Sequence, residues 1–236
     1  MSNLVPLGYD VATVVAGDWA RGFPEGGALW GTFAEFFRDD MRPRPHNPAL
    51  AREYLERSVW NGESIQLTTQ PGHSALAAEM VQLNLLAIGI DVEVEVLELI
   101  AFNDVWLYDP ARDNHLAINF PSGTNFTALG GIRAAFLSGV STNRMNINSP
   151  FVQAQYEALV EALLAHDIDL ARELTYSIHA YLWEDIIAGV PLYHFVQGVT
   201  VVQGIGGIEI YDGHMVRMHM RNMYWDLNQT PEHLRP

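Results

Sequence analysis

The chain has 236 residues with 13 basic side chains, all of them Arg, against 28 Asp and Glu, and so a formal net charge of −15; it contains neither Lys nor Cys. Without cysteine there is no disulfide framework, thiolate metal site or Cys nucleophile; without lysine there is no Schiff-base or P-loop chemistry, and the acidic balance excludes binding to a nucleic-acid backbone, which needs clustered Lys and Arg. A hydrophobic content of 49% with 17% charged residues is globular composition, enough for one large domain or two small ones.

No run of eighteen apolar residues occurs, so no membrane-spanning helix is expected. The opening Met1-Ser-Asn-Leu-Val-Pro-Leu-Gly lacks a basic segment followed by an apolar one, which predicts that this chain carries no signal peptide of its own. Residues 10–17 read as one or two helical turns ended by Gly17. Gly22, Pro24, Gly26 and Gly27 then read as an exposed loop. Residues 28–37 hold Trp30, Phe33, Phe36 and Phe37, too apolar to stand free of a packing partner.

Asn47 followed by Pro48 is an N-cap and first-position pair, predicting a helix that ends near Asn61-Gly62, with Leu50, Tyr54 and Leu55 as its buried stripe. Ser64 to Thr69 alternates and reads as a strand. Ser74 to Ala87 is a second helix, with Leu76, Met80, Leu83 and Leu86/Ala87 spaced at three to four and Gly89 as its left-handed cap. Ile90 to Leu97 alternates Val with Asp or Glu, as a strand with one wet face does. Strand, helix and strand with short joins predict a βαβ unit with parallel strands and a right-handed crossover.

Ile100 to Tyr108 reads as helical, and His115 to Phe120 as a third strand, more apolar and therefore placed centrally, followed by a loop at its carboxyl end. Helices follow at about 127–137 and 150–164. Asp167 caps a long one through about Glu184, with Leu170, Leu174, Ile178 and Leu182 on one side. Val190 to Phe195 and Val199 to Val202 read as strands, and 207–225 as a hairpin turning at Asp212-Gly213.

Taken in order over roughly 47–226, these segments resemble the peptide/nickel-type solute-binding proteins of ABC transporters, family 5. Asn47 to Leu55 is similar to the family's "DPEKAKELL" helix, and Ser64 to Gly72 to its following strand. Val81 to Val94 resembles "IQQQLAKIGIKVEI", and Ala135-Phe-Leu-Ser-Gly resembles "FFSG". Tyr156 to Leu163 and Val190-Pro-Leu-Tyr-His fit "YDALL" and "PLYH", while Tyr9 to Trp30 is a looser match to the "GGYGTPA" region.

The resemblance implies an α/β, periplasmic-binding-protein-like lobe: a mixed, mostly parallel sheet flanked by helices, with a C-terminal β-hairpin extension. Residues 1–46 would pack on the lobe, 47–203 would form it, and 204–236 would lead back toward a missing first lobe. It implies capture of an oligopeptide-like or other polar solute in an interlobe cleft, docking to an ABC permease, no cofactor, no covalent chemistry, and a periplasmic or extracytoplasmic setting for the full protein. A homodimer through the surface left by the missing lobe is a further expectation. The alternative is a ligand-sensing, solute-binding-like domain of a cytoplasmic regulator.

In the family, the loop after the third strand holds a Trp-x-x-Asp-type element whose Asp pairs with the peptide's α-amino group. Here the stretch runs Asn119-Phe120-Pro121-Ser122-Gly123-Thr124-Asn125, and the acid is missing. A buried ammonium needs a carboxylate to offset its desolvation. Asn119, Ser122, Thr124 and Asn125 instead suit hydrogen bonds to a neutral or hydroxylated solute, with Phe120 stacking on it; the bland reading is an ordinary polar loop. Trp106 and Tyr108 lie where the family often places cleft aromatics, although aromatics at helical spacing commonly serve the core. Arg133, alone on a helix, reads as solvated, with contact to a ligand carboxylate as the sharper alternative.

His214, Met215, Met218, His219 and Met220 invite a soft-metal reading. On a strand they divide between two faces, which favours packing and no metal. There is no Gly-x-Ser-x-Gly elbow and no His-Glu-x-x-His, and Gly204-Ile-Gly206-Gly207 opens no helix, so no enzyme is indicated. Glu53/Glu56 and Glu93/Glu95 read as solvated pairs, the first on a helix face and the second on the wet face of a strand.

Overall fold

The computed structural model describes residues 20–22, 36, 45–108, 116–118, 127–143, 146–186, 189–190, 192–195, 202–207 and 222–234. The expected turns at 10–17, the aromatic segment 28–37 apart from Phe36, and the Asp212-Gly213 turn with the His/Met stretch around it lie outside these residues. So does nearly all of the strand expected at 199–202.

Asn47 caps α1 (Pro48–Arg57), its Oδ1 accepting from the Leu50 N–H at 3.0 Å. Replacing Asn47 by Ala removes that acceptor from an exposed helix. The expected loss is about 1 kcal/mol of local stability, read as faster amide exchange in the first turn of α1. The helix ends at Arg57, earlier than the Asn61-Gly62 signal, because Ser58 turns its N–H and Oγ back to the Leu55 carbonyl. Its expected stripe is corrected too. Leu50 and Tyr54 are exposed, and the half-buried face carries Pro48, Ala51 and Leu55, while Arg52 donates to the Ala87 carbonyl at 2.8 Å.

The βαβ unit forms as expected. β2 (Ile65–Thr69), numbered after the short β1 (Ala20–Gly22), runs parallel to β3 (Val92–Val96), and α2 (His73–Leu86) joins them. Gly89, at φ +96°, closes α2: its N–H reaches the Leu86 carbonyl and the Ile90 N–H the Leu85 carbonyl, each at 3.0 Å. The face that α2 buries is not the leucine stripe. Ser74, Ala77 and Ala78 are buried with Val81 and Leu85 half-buried, while Leu76, Leu83 and Leu86 are 47%, 64% and 56% exposed. Alanines at the contact let the helix lie close to the sheet, where Ala78 joins Leu67 and Val92 in one apolar cluster.

α3 (Leu99–Asn103) continues into a π-helical turn, Asp104–Tyr108. β4 (Leu116–Ala117) pairs parallel with β2 on the side away from β3, giving the order β3-β2-β4. The third strand is therefore at an edge of the described sheet and not central. β2 holds the centre because it pairs on both sides, a consequence of topology that apolar content does not reveal.

The larger core is helical. α4 (Ala128–Phe136), α5 (Pro150–Leu164) and α6 (Ile168–Ala180) are capped by Thr127, Ser149 and Asp167, whose side chains accept from the Gly130, Val152 and Leu170 N–H groups. Together with Leu182, in a π-helical turn at Tyr181–Asp185, they enclose Ile132, Phe136, Val152, Leu159 and Ile178. Ile178 and Leu182 are buried as expected, but Leu170 is exposed, because the face that meets α5 carries Ala171 and Thr175. Asn143 staples the intervening turn, donating to the Leu137 and Ile147 carbonyls and accepting from the Ile147 N–H. Phe36 packs on this core beneath Arg172, whose guanidinium carbon lies 5.6 Å from the ring centre.

Three short strands complete the description: β5 (Tyr193–Phe195), β6 (Ile205–Gly206) and β7 (Tyr224–Trp225). β5 pairs antiparallel with β1, which places Gly22 in a strand where a loop was expected. β6 and β7 pair antiparallel and bring the two ends of the expected C-terminal hairpin together. Among the described residues, no helix is long and apolar enough to cross a membrane.

Candidate ligand site

The parallel sheet β3-β2-β4 ends on one level. Thr69 lies beside Val96 in register and Thr68 beside Ala117. The Leu97 N–H donates to the Thr69 carbonyl at 2.8 Å and the Ile118 N–H to the Thr68 carbonyl at 3.0 Å. Two described segments leave this edge together, Gln70-Pro71-Gly72 into α2 and Leu97-Glu98 into α3, and Ile118, the last described residue after β4, lies at the same edge. In open α/β sheets, ligands bind outside the carboxyl ends of the strands.

Side-chain direction sorts the edge into two faces. Ile65 and Leu67 point toward α2 with Val92, Val94 and Ile118, all in one cluster, so Thr69 points the same way. Gln66 and Glu95 share the other face, where the Gln66 Nε2 donates to Glu95 Oε2 at 3.1 Å. Thr68 and Thr69 are both fully buried. Among the described residues the Thr69 hydroxyl has no hydrogen-bond partner, and a buried hydroxyl in that state is disfavoured until something supplies one.

Of the residues expected to meet ligand, Trp106 sits half-buried in the π-helical turn after α3, and Tyr108 closes that turn. Asn119, Phe120, Ser122, Thr124 and Asn125 lie outside the described residues; the strand that leads to them ends at the sheet edge just described. Arg133 is exposed in the last turn of α4. Thr69 escaped the sequence reading. Its one signal there is its place as the last inward position of a regular strand, directly before a Pro-Gly turn. Of the acid pairs, Glu53 is engaged by Arg57 on the α1 surface and Glu95 by Gln66.

No family model matches the chain, and no curated relative does. Solved structures match it over most of its length. A clavulanic acid biosynthesis oligopeptide-binding protein 2 superposes with a TM-score of 0.68 at 18% identity, over 93% of this chain and 42% of that one. The ABC transporter substrate-binding protein CtaP of Listeria monocytogenes gives 0.66 at 15% identity, over 83% and 38%. A periplasmic oligopeptide-binding protein of Thermotoga maritima, solved with mannohexaose bound, gives 0.61 at 13% identity, over 81% and 40%. The chain thus has the fold found in part of these binding proteins, and it spans about two fifths of their length.

Proposed function

We propose that this chain is the C-terminal lobe of an extracytoplasmic solute-binding protein of an ABC transporter, and that it captures a small polar solute at the carboxyl edge of β3-β2-β4 against a second lobe. The observation that carries this reading is the likeness to an ABC transporter substrate-binding protein at a TM-score of 0.66 over 83% of the chain. The level strand ends, with Thr69 at the centre, support the location. The mechanism is capture without a covalent step: solute touches both lobes, and the closed form is favoured by contacts it makes only there. The loaded protein would then dock on its permease.

The ligand class follows from the missing acid. With no carboxylate in Asn119 to Asn125, an α-ammonium would be left uncompensated in a closed cleft. A hydroxylated solute without an ammonium group, stacked on Phe120 and bordered by Trp106 and Tyr108, suits these residues better than a peptide held by its amino terminus.

Half of the ligand's contacts would come from the other lobe, so the isolated chain should bind peptides and oligosaccharides no more tightly than about millimolar. Isothermal titration against both libraries checks this. Amide shifts at high solute concentration should centre on 68–72, 97–98 and 118. A micromolar affinity would overturn the need for a second lobe, and shifts centred on the α4–α6 core would overturn the location.

A further inference from the structure

We propose that the first turn of α2 and the Thr69 hydroxyl together form a subsite for an anionic group of the captured solute, a carboxylate or a phosphate. This deepens the reading above by giving the solute a charge, and it rests on that reading only for the identity of the molecule that carries the anion.

Four observations converge on the turn from β2 into α2. The helix has fourteen residues and is separated from the central strand by three residues, at the edge where the strands end. Its N-cap is Gly72, which supplies no side-chain acceptor. α1, α4, α5 and α6 each have a capping Asn, Thr, Ser or Asp that occupies such N–H groups. In α2 the Ala75 and Leu76 N–H groups turn back to the Gly72 carbonyl, at 3.1 and 3.3 Å, while the Ser74 N–H, ahead of them, bonds to no backbone carbonyl among the described residues. Helix starts of this kind carry partial positive charge and accept anions.

The second observation is independent of the helix. Thr69 is fully buried and its hydroxyl has no partner among the described residues. Leu67 shares a cluster with Ala78. Two residues further along the strand is about 6.6 Å, and four residues back along the returning helix is about 6 Å. Thr69 therefore comes opposite Ser74, beneath the first turn of α2. A hydroxyl at that point is a donor lacking an acceptor, below the Ser74 N–H.

The third is charge. In a chain of net charge −15, the first turn of α2 holds no acid. A carboxylate there would stabilise the helix; α1, α4 and α5 lack one as well, but in each of these a capping side chain meets the helix start. The fourth is space. Gly72 has φ +85°, a conformation that L side chains rarely adopt, and a Cβ built there would meet nothing within 4 Å. No side chain projects into the turn from position 72.

An oxyanion seated here accepts from the Ser74 N–H on the helix side and from the Thr69 O–H on the strand side. Amide NMR of the chain, titrated with sodium acetate and separately with sodium phosphate against sodium chloride at matched ionic strength, tests the subsite directly. Saturable shifts confined to Gly72–Leu76 are expected, absent with chloride. The tighter of the two anions identifies the group as carboxylate or phosphoryl. Thr69→Val removes the hydroxyl at constant shape and should weaken anion binding by roughly fivefold or more, as loss of a hydrogen bond to a charged group does, with the thermal melt unchanged or raised. His73→Asp, at the exposed first helical position, should weaken it as well by placing a competing carboxylate at the helix start. Shifts that do not saturate, or a Thr69→Val chain that titrates like the parent, would overturn the subsite. Failure here is separable from failure of the proposed function: solutes that perturb the strand ends while acetate and phosphate do nothing would sink the anion subsite alone.

Discussion

Phe136→Ala is expected to lower the unfolding free energy by about 3–5 kcal/mol, measured as a fall in the urea midpoint at unchanged slope. Phe136 is the last residue of α4 and is 1% exposed. Its ring belongs to the cluster built by Ile132 from its own helix, Val152 and Leu159 from α5, and Ile178 and Leu182 from α6 and its extension. Truncation loses the ring's burial and leaves a cavity that three helices would have to close. They cannot approach freely: Asn143 fixes the link from α4 to α5 with three hydrogen bonds, and the caps at Ser149 and Asp167 fix the starts of α5 and α6. A whole domain has a stability of about 5–15 kcal/mol, so this one ring should decide whether the chain folds at elevated temperature. A loss below about 1 kcal/mol would mean that the cavity collapses and that the three-helix core is loosely held.

Local chemistry made much of this architecture legible. Asn47-Pro48 and Asp167 mark helix starts because a side-chain acceptor followed by a helix former is a mechanism and not a correlation. The alternation of Val92 to Val96 marks a strand with one wet face for the same reason. What was not legible is which of two apolar faces a helix buries. α2 is apolar nearly all round, and both Leu76/Leu83 and Ala77/Val81 recur at helical spacing. Periodicity finds stripes, but the choice between them depends on how close the sheet must come, and small residues win at a close contact. The same limit moved the buried face of α1 from Leu50 and Tyr54 to Ala51 and Leu55. Strand order failed on other grounds: His115 to Phe120 is apolar, but centrality comes from pairing on both sides, which belongs to β2.

The site divides in the same way. Its proposed location, at the carboxyl ends of parallel strands, follows from the βαβ reading alone. The departure from the family's pattern at Asn119 to Asn125 is also a matter of sequence. Thr69 is different. A threonine ending a strand is unremarkable until the fold shows its hydroxyl buried with no partner among the described residues, and that absence exists only in three dimensions.

The inverted helix gives the sharper of the two stability tests, because the two placements of α2 predict opposite results. Ala78 is fully buried against Leu67 and Val92. Ala78→Leu forces three methylene-equivalents into a contact sized for a methyl, and should cost about 1–3 kcal/mol by pushing the helix off the sheet. Leu83 is 64% exposed, and Leu83→Gln keeps a good helix former while removing apolar surface from water. It should change stability by no more than about 0.5 kcal/mol. If the leucine stripe faced the sheet, as its spacing alone suggests, Leu83→Gln would bury an unpaired amide and become the damaging change, while Ala78→Leu would be tolerated at the surface. Urea unfolding of the two variants side by side therefore reports the rotation of α2 about its own axis. That rotation also fixes the subsite, since it is what puts Ser74 over Thr69: an order reversed from Ala78→Leu as the costly change would turn the first turn of α2 away from the Thr69 hydroxyl and remove the geometry on which anion binding depends.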